Sequence, residues 1–565
     1  MDFPLDIAGQ RSVATGVFRP WLENILALQI LDPSSPDYGS YPLNGDGWQD
    51  GRQSAFEFAR VASCLCWFGG TDETGGSPAL LEACQVSLRA AMQFLVNRQH
   101  ADGRMDLAGF YSPNEAGFPV AGLALAWENL GKLRGDPLAD VRETLRNFLL
   151  KSTEAVLQGD AYTANHRWAA ACAALASVHR LWPDRRYLDK IESYLEDGID
   201  CDADGCWFEE RSPNYNDVAN SGMLVLADCL GRPEFLEPVI RSHEFALHTL
   251  QPNGEADSSF SHRADRAASG LRATSLGVAR RVALITGDGR FTSLTRHVWA
   301  QGSDGTNNLI PYLFDLMMHP GDLPQPVPLS SRYKKRFASI PMVRERRGET
   351  SLTVTADRGN HYFDTVLDQW GGRKCNDDWL HLHHGDVVLQ SLQLAGGGLN
   401  AFQPLDVIED EDGVLILHST DNGWKHPLHF RPGRPVVDMP RNWTTEAQVT
   451  WKDDALEIGM QSETPESIAA CLLLWVRPGI SLSESGSDPV PLQAKAVHAL
   501  RGGSDVTLTG TRGAITISGL PASAHRRAIL GPQPIPSGMR DTCALLQLGL
   551  RFPVNLNLTL HLTRP

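Results

Sequence analysis

The sequence contains no CxxC pair, no excess of basic residues and no evident apolar run of membrane-spanning length. Its ten cysteines are scattered, and the closest pairs, Cys64/Cys66 and Cys201/Cys206, lack the spacing of a zinc ribbon or a redox motif. Reduced and mostly buried thiols are therefore expected. Lys and Arg number 51 against 67 Asp and Glu, for a formal net charge of −16. That balance argues against a general nucleic-acid or acidic-membrane binder, so an anionic ligand must be held by a local basic cluster. The N-terminal MDFPLDIAGQRSVATG has no basic-then-apolar pattern of a secretion signal. A cytoplasmic protein is expected, or a periplasmic or secreted one if a leader has been trimmed.

What is present is an ordinary globular composition, 42% hydrophobic and 21% charged, over 565 residues. That length exceeds what one core organises, so two domains are expected. From about residue 15 to 318, apolar positions recur at three and four residues in segments such as RPWLENILALQIL, PALLEACQVSLRAAMQFLV and HRWAAACAALASVHRLW. Paired antiparallel helices in that number make a solenoid or a closed toroid, and the lack of a fixed repeat favours the toroid. The proline-rich MMHPGDLPQPVPLSSRYKK ends the pattern and reads as a linker. Beyond it the period becomes two, in TSLTVTADRG, HYFDTVLDQW, WLHLHHGDVVLQSLQL and NLNLTLHLT. The expected fold is an α+β multidomain chain: an N-terminal (α/α) toroid of helical hairpins at 1–318, a linker at 319–336 and a C-terminal antiparallel β-sandwich at 337–565.

Several short constellations carry candidate chemistry. In DGCWFEERSPNYNDV, Tyr215 follows a Ser-Pro-Asn turn close to Glu209, Glu210, Arg211 and Asn214. A phenol with an ordinary pKa of about 10 needs a nearby cation to work as acid or base, and Arg211 is placed in sequence to supply one. An ordinary capped loop explains the same residues. In YTANHRWAAACAALA, Asn165 and His166 open an alanine-rich helix. Small residues let neighbouring helices approach, leaving Asn165, His166, Arg167 and Trp168 to line a pocket; an Asn cap followed by a surface histidine is the plain alternative. In DDWLHLHHGDVVLQS, a strand places His381 and His383 on one face and Leu380, Leu382 and His384 on the other. The histidines with nearby Asp377, Asp378 and Asp386 are candidates for metal or substrate contact, against a merely polar strand face. Asp257, His262, Arg263 and Arg266 in QPNGEADSSFSHRADRAASG form a candidate anion-binding rim or a solvated loop. Trp48, with Asp50, sits in YPLNGDGWQDGR as a sugar-stacking turn or plain turn chemistry.

Taken together, Asn-His on one helix, a tyrosine after an SPNY turn, and a histidine-rich strand beyond a linker resemble the heparinase II/III-like, alginate and chondroitin AC lyase superfamily. The resemblance spans most of the chain in architecture, while its motifs occupy short windows, DGCWFEERSPNY followed by LQPNGEADSSF being the most specific. LHHGDVVLQSLQLAGGG is similar to the family's HxHxD strand, but here the pattern falls on Leu382, His384 and Asp386, so its first histidine is missing or shifted to His381 or His383. Asn216 follows Tyr215 where the family often has histidine.

The resemblance implies β-elimination of a uronic-acid-containing poly- or oligosaccharide. Such a reaction must neutralise the uronate carboxylate, remove the weakly acidic proton beside it and protonate the departing oxygen. The implied roles are Asn165 on the carboxylate, aided by Arg211 or by a protonated Glu209 or Glu210, with His166 as base and Tyr215 as acid. Substrate contacts are expected from Glu209, Glu210, Trp168, His383, His384, Arg263 and Trp48. No cofactor is required, although His381, His383 and Asp386 are candidate ligands of a structural Zn or Ca ion. Neither nucleic acid nor membrane is an expected partner, and oligomeric state stays open, a homodimer included. The acidic charge disfavours a densely sulfated substrate. Three other readings stand beside this one: a toroid glycoside hydrolase using paired carboxylates such as Asp204, Glu209, Glu210 or Asp217, a uronate C5-epimerase, and a non-catalytic carbohydrate binder.

Overall fold

The structure, a computed structural model, describes residues 2–41, 51–69, 76–107, 110–209, 211–261, 265, 268–302, 310–356, 379–396, 400–401, 404, 406–421, 424–427, 436–439, 443–463, 469–525 and 542–564. The expected strand HYFDTVLDQW lies outside these residues. Two compact units form. One gathers Met1–Glu209, Asn214–Leu247 and Thr274–Leu329; the other gathers Glu210–Pro213, His248–Ala273 and Ser330–Pro565. Two short upstream segments thus join the β-rich unit.

The first unit is a toroid of helices whose ends are written locally. Asp6 caps Ile7–Leu28 by accepting the Gly9 N–H at 2.7 Å. Ser77 caps Pro78–Arg98 with proline in the first turn, and Gly287 at φ 65° ends Leu276–Thr286 in the left-handed conformation a side chain resists. Closure of the ring is carried by buried polar groups. The Arg280 guanidinium, fully buried, donates from Nε to Gln10 Oε1 at 2.6 Å and from Nη1 to the His319 carbonyl at 3.1 Å, and pairs with Asp315. Tyr312 donates its hydroxyl to the Gln10 carbonyl at 2.8 Å, and Leu323 N–H donates to the Leu5 carbonyl at 2.8 Å. The first helix is thereby fastened to the last, which a solenoid would not need.

Two details depart from the sequence reading of this half. A short hairpin, Met105–Leu107 with Phe110–Ser112, interrupts the helical pattern. The helix Pro78–Arg98 does have the length and apolar composition of a membrane span, contrary to expectation. It buries Cys84, Leu88, Phe94 and Leu95 and packs beside Gly51–Gly69, as a core helix does.

In the second unit the described strands form two nine-stranded sheets of a β-sandwich, almost wholly antiparallel, and a separate two-stranded hairpin, Trp424–Pro427 with Val436–Met439. One runs Val490–Pro491, Ser481–Glu484, Val506–Thr509, Ala514–Ser518, Val554–Thr563, Ala455–Glu463, Trp443–Trp451, Leu415–Asp421, Asp406–Glu409. The other runs Val497–Ala499, Ala544–Arg551, Ala469–Val476, Val387–Gly396, Leu380–His384, Thr350–Thr355, Met342–Arg347, Arg332–Phe337, with Asn400–Ala401 paired to Val387–Gly396. Only Val497–Ala499 pairs in parallel among the described strands. Strand formation starts at Arg332, inside the stretch read as linker. Alternation fixes the inner faces: Val554–Thr563 buries every second residue, placing Leu556, Leu558 and Leu560 in one core cluster with Leu380, Leu382 and Leu392 of the other sheet. Each fully buried leucine contributes about 1.5–3 kcal/mol.

Candidate active site

The Asn165–His166 segment is shaped by the helix that follows it. His166–Cys172 is wound as a π-helix, and the small residues around it admit close neighbours. A Cβ on Gly117 would stand 2.1 Å from the Ala170 carbonyl oxygen, and one on Gly222 would stand 2.6 Å from that of Trp168. Glycine at these two positions is what lets Pro113–Gly117 and Pro213–Leu230 press on the turn. This is the close approach anticipated for the alanine-rich helix.

Successive helix residues point in different directions, and the four polar or aromatic side chains at the helix mouth part company. Trp168 is fully buried and Arg167 turns away to pair with Asp200 at 3.2 Å and Asp197 at 3.6 Å. With none of its surface exposed, Trp168 is corrected from the expected substrate contact to a core role. Asn165 and His166 stay together. The Asn165 N–H donates to Glu209 Oε2 at 2.7 Å, and its Oδ1 accepts from Thr163 Oγ1 at 3.0 Å. His166 Nδ1 lies 2.7 Å from the same Thr163 oxygen, while Nε2 is 4.0 Å from Glu115 Oε1.

Glu115 is held by Arg52 at 2.7 Å, the Arg52 guanidinium lies over the Phe118 ring at 4.7 Å, and Phe118 packs on the His166 imidazole with ring centres 5.4 Å apart. The His166 side chain keeps 33% of its surface exposed. Its pKa is lowered by burial first and by the Arg52 charge second, so the ring is held neutral. Neutral imidazole is the form a base requires.

Tyr215 is half-buried in the first turn of Pro213–Leu230, in the helical unit, whereas Arg211 belongs to the β-rich unit and adopts φ 48°. A left-handed arginine is a costly conformation, of order 1–3 kcal/mol, and such residues cluster at functional turns. Ser212 Oγ donates to Asp265, anchoring that turn. Glu210, Arg263 and Trp48, together with Asp50, His262, Arg266, Asp377 and Asp378, lie outside the described residues.

The β-rich unit holds a second histidine site of opposite character. Strand register aligns Arg344 with Thr353 and Thr353 with His381 across three neighbouring strands. On this row Asp257 Oδ2 accepts from Arg344 Nη1 at 2.6 Å and from Thr353, while its Oδ1 lies 3.0 Å from His381 Nδ1 and accepts the Ser259 N–H at 2.9 Å. Arg344 also reaches the Leu250 carbonyl and Gln251 Oε1, each at 3.0 Å. Asp257 and Arg344 are both fully buried. Burial would raise the Asp257 pKa, but the His381 and Arg344 charges and the hydrogen bonds outweigh it and hold the carboxyl well below the usual range. The expectation that Asp257 forms an exposed anion-binding rim is therefore corrected: it is the anchor of a sealed network.

His381, His383 and His384 are 2%, 2% and 4% exposed. Burial, then the charges of His381, Arg477, Arg344 and Arg512, push the His383 pKa down to about 3. His384 has both ring nitrogens engaged, Nδ1 with Thr350 Oγ1 at 2.7 Å and Nε2 with the Thr563 carbonyl at 2.9 Å, so its expected substrate contact is corrected to a structural one. The expected metal ligands do not converge either. Asp386 accepts from Thr511 N–H at 2.7 Å and Arg512 N–H at 2.9 Å, whereas His381 faces Asp257. Among the described residues no group of three or more His, Cys, Asp or Glu is arranged to hold a metal ion.

Sequence reasoning missed Thr163, Glu115, Arg52 and Arg344. One signal was present for Glu115: SPNE at 112–115 repeats the SPNY of 212–215, and both open a helix with proline in the first turn.

No family model matches the chain, and no curated protein does. Solved structures do resemble it. A heparinase III structure matches at TM-score 0.56 with 10% identity, covering 93% of this chain and 80% of its own. The Streptomyces coelicolor A3 chondroitin AC lyase, in complex with chondroitin sulphate, matches at 0.54 with 12% identity, covering 98% and 79%. A second heparinase III, with methylated lysines, matches at 0.51 with 11% identity, covering 97% and 84%. The chain has the helical-toroid and β-sandwich fold of these heparinase III and chondroitin AC lyase structures.

Proposed function

We propose that the protein is a polysaccharide lyase that cleaves a uronic-acid-containing glycan by β-elimination, leaving an unsaturated uronate end. The observation that carries this reading is the pairing of a buried Asn165 with a partly exposed His166 at one helix mouth, where burial and the Arg52 charge favour the neutral ring. The lyase identity of the similarly folded structures supports it.

In this scheme Asn165 Nδ2 donates to the substrate carboxylate and withdraws charge from the adjacent carbon, lowering the barrier to losing its proton. His166 takes that proton through Nε2. The C–H electron pair becomes the new double bond, the bond to the glycosidic oxygen breaks, and Tyr215 gives that oxygen a proton. One proton leaves the sugar and one arrives, so the elimination is balanced and redox-neutral. Glu209 braces the Asn165 backbone.

A panel of glucuronan, alginate, hyaluronan, chondroitin and heparan tests the reading through the ultraviolet absorbance of the conjugated uronate. A rise that His166→Ala and Tyr215→Phe abolish supports elimination and names the substrate. New reducing ends without absorbance favour a hydrolase instead. That second reading draws on Glu209 and Glu115, two carboxylates that reach the Asn165–His166 segment at 2.7 and 4.0 Å.

A further inference from the structure

Thr163 joins the two residues assigned to the chemistry, and the hydrogen count on its oxygen is informative. A threonine hydroxyl has one proton to give and two lone pairs to accept with. Thr163 Oγ1 donates to Asn165 Oδ1 at 3.0 Å and lies 2.7 Å from His166 Nδ1. Because its only proton goes to the amide oxygen, the bond to the imidazole must run the other way, from Nδ1–H to the hydroxyl.

We propose that Thr163 is a positioning residue that sets the proton on His166 Nδ1 and the orientation of the Asn165 amide together, so that one hydroxyl prepares both the base and the carboxylate donor. This rests on the lyase reading for its catalytic consequence but not for the tautomer itself. With Nδ1 protonated, the lone pair sits on Nε2, whose Glu115 neighbour at 4.0 Å is beyond hydrogen-bond reach. With Oδ1 accepting from Thr163, the two Nδ2 hydrogens of Asn165 are the ones left for a carboxylate. The reverse chain, Asn165 Nδ2 donating to Thr163 and Thr163 donating to Nδ1, would put the proton on Nε2 and turn the amide oxygen towards the substrate. It would spoil both groups at once. The coupling also survives the reaction, since Nδ1 donates to Thr163 whether the ring is neutral or protonated.

The test uses the full-length protein with ¹⁵N-labelled histidine. Nitrogen NMR at a pH above the His166 titration reads which ring nitrogen bears the proton, the signal being assigned by its loss in His166→Ala. The expected wild-type result is a protonated Nδ1 and a bare Nε2. Thr163→Val, which cannot accept, should shift the ring towards the Nε2–H form and lower kcat on the order of tenfold or more with a smaller change in KM, because the base is then mis-protonated. Thr163→Ser keeps the hydroxyl and should restore both tautomer and rate. A wild-type ring protonated on Nε2, or a Thr163→Val tautomer unchanged from wild type, would overturn the proposal. The expected tautomers together with no elimination on any uronate glycan would uphold the relay and sink the lyase reading, so the two failures are separable.

Discussion

His166 at the helix mouth and the histidines of the strand Leu380–His384 differ in everything but the residue type. His166 keeps a third of its side chain exposed, shares a threonine with Asn165 and has Nε2 4.0 Å from Glu115 Oε1. His381 sits at 2% exposure, tied to a carboxylate that is itself tied to a buried arginine. The first arrangement can exchange a proton with a ligand, because the ring is neutral and reachable. The second has its charges satisfied internally, so it behaves as a clamp for the strands it crosses. A histidine's function follows from what its second nitrogen faces and from whether water can reach it.

The comparison can be broken most forcefully at His166. Replacing it by alanine should lower elimination by about 10²–10⁴-fold, the range that removal of a general base commands, with the melting behaviour of the sandwich unchanged. The matching blow to the clamp is Arg344→Leu, which removes the buried arginine partner of Asp257 and leaves the carboxylate with His381, Thr353 and the Ser259 N–H; it should destabilise the sandwich by about 3–5 kcal/mol in denaturant unfolding. The pH dependence there has a definite sign. The Asp257 pKa is lowered in the folded state, so its stabilising contribution is fully present above the unfolded value of about 3.9 and is lost as pH falls towards the folded value; Arg344→Leu should flatten that acid decline. Next in size is Asn165→Ala, expected to cost about 10²–10³-fold in kcat if its amide stabilises the developing charge. The smallest expected effect is Arg52→Gln. Burial first and Arg52 second depress the His166 pKa, so removing the Arg52 charge should move the acid limb of the kcat/KM profile upward in pH, towards the ordinary imidazole range.

Architecture was legible because periodicity reports it: the helical spacing before the linker and the alternation after it are direct imprints of which face is buried. Asn165 and His166 were legible because two bulky polar residues stand out against a run of alanines. Thr163 was not, since its role depends on a hydroxyl proton shared between side chains rather than on any pattern. Arg52 and Glu115 lie 63 residues apart in sequence and meet only through helix packing. Trp168 and Asp257 were noticed for the wrong reason. A tryptophan beside a histidine and an aspartate in a polar loop both suggest exposure, but helix rotation sends Trp168 inward, and the row of Arg344, Thr353 and His381 closes over Asp257. Arg344, in the strand MVRERR, is indistinguishable in sequence from its exposed-looking neighbours until register shows what it faces.

The most direct measurement is the rate of ultraviolet absorbance increase on a uronate glycan for wild type and His166→Ala side by side, with reducing ends counted in the same samples. The expected result is that absorbance and reducing ends rise together in wild type and that both are nearly abolished in the variant. Reducing ends without absorbance in wild type, or absorbance undiminished in His166→Ala, would contradict a histidine-based elimination at this site.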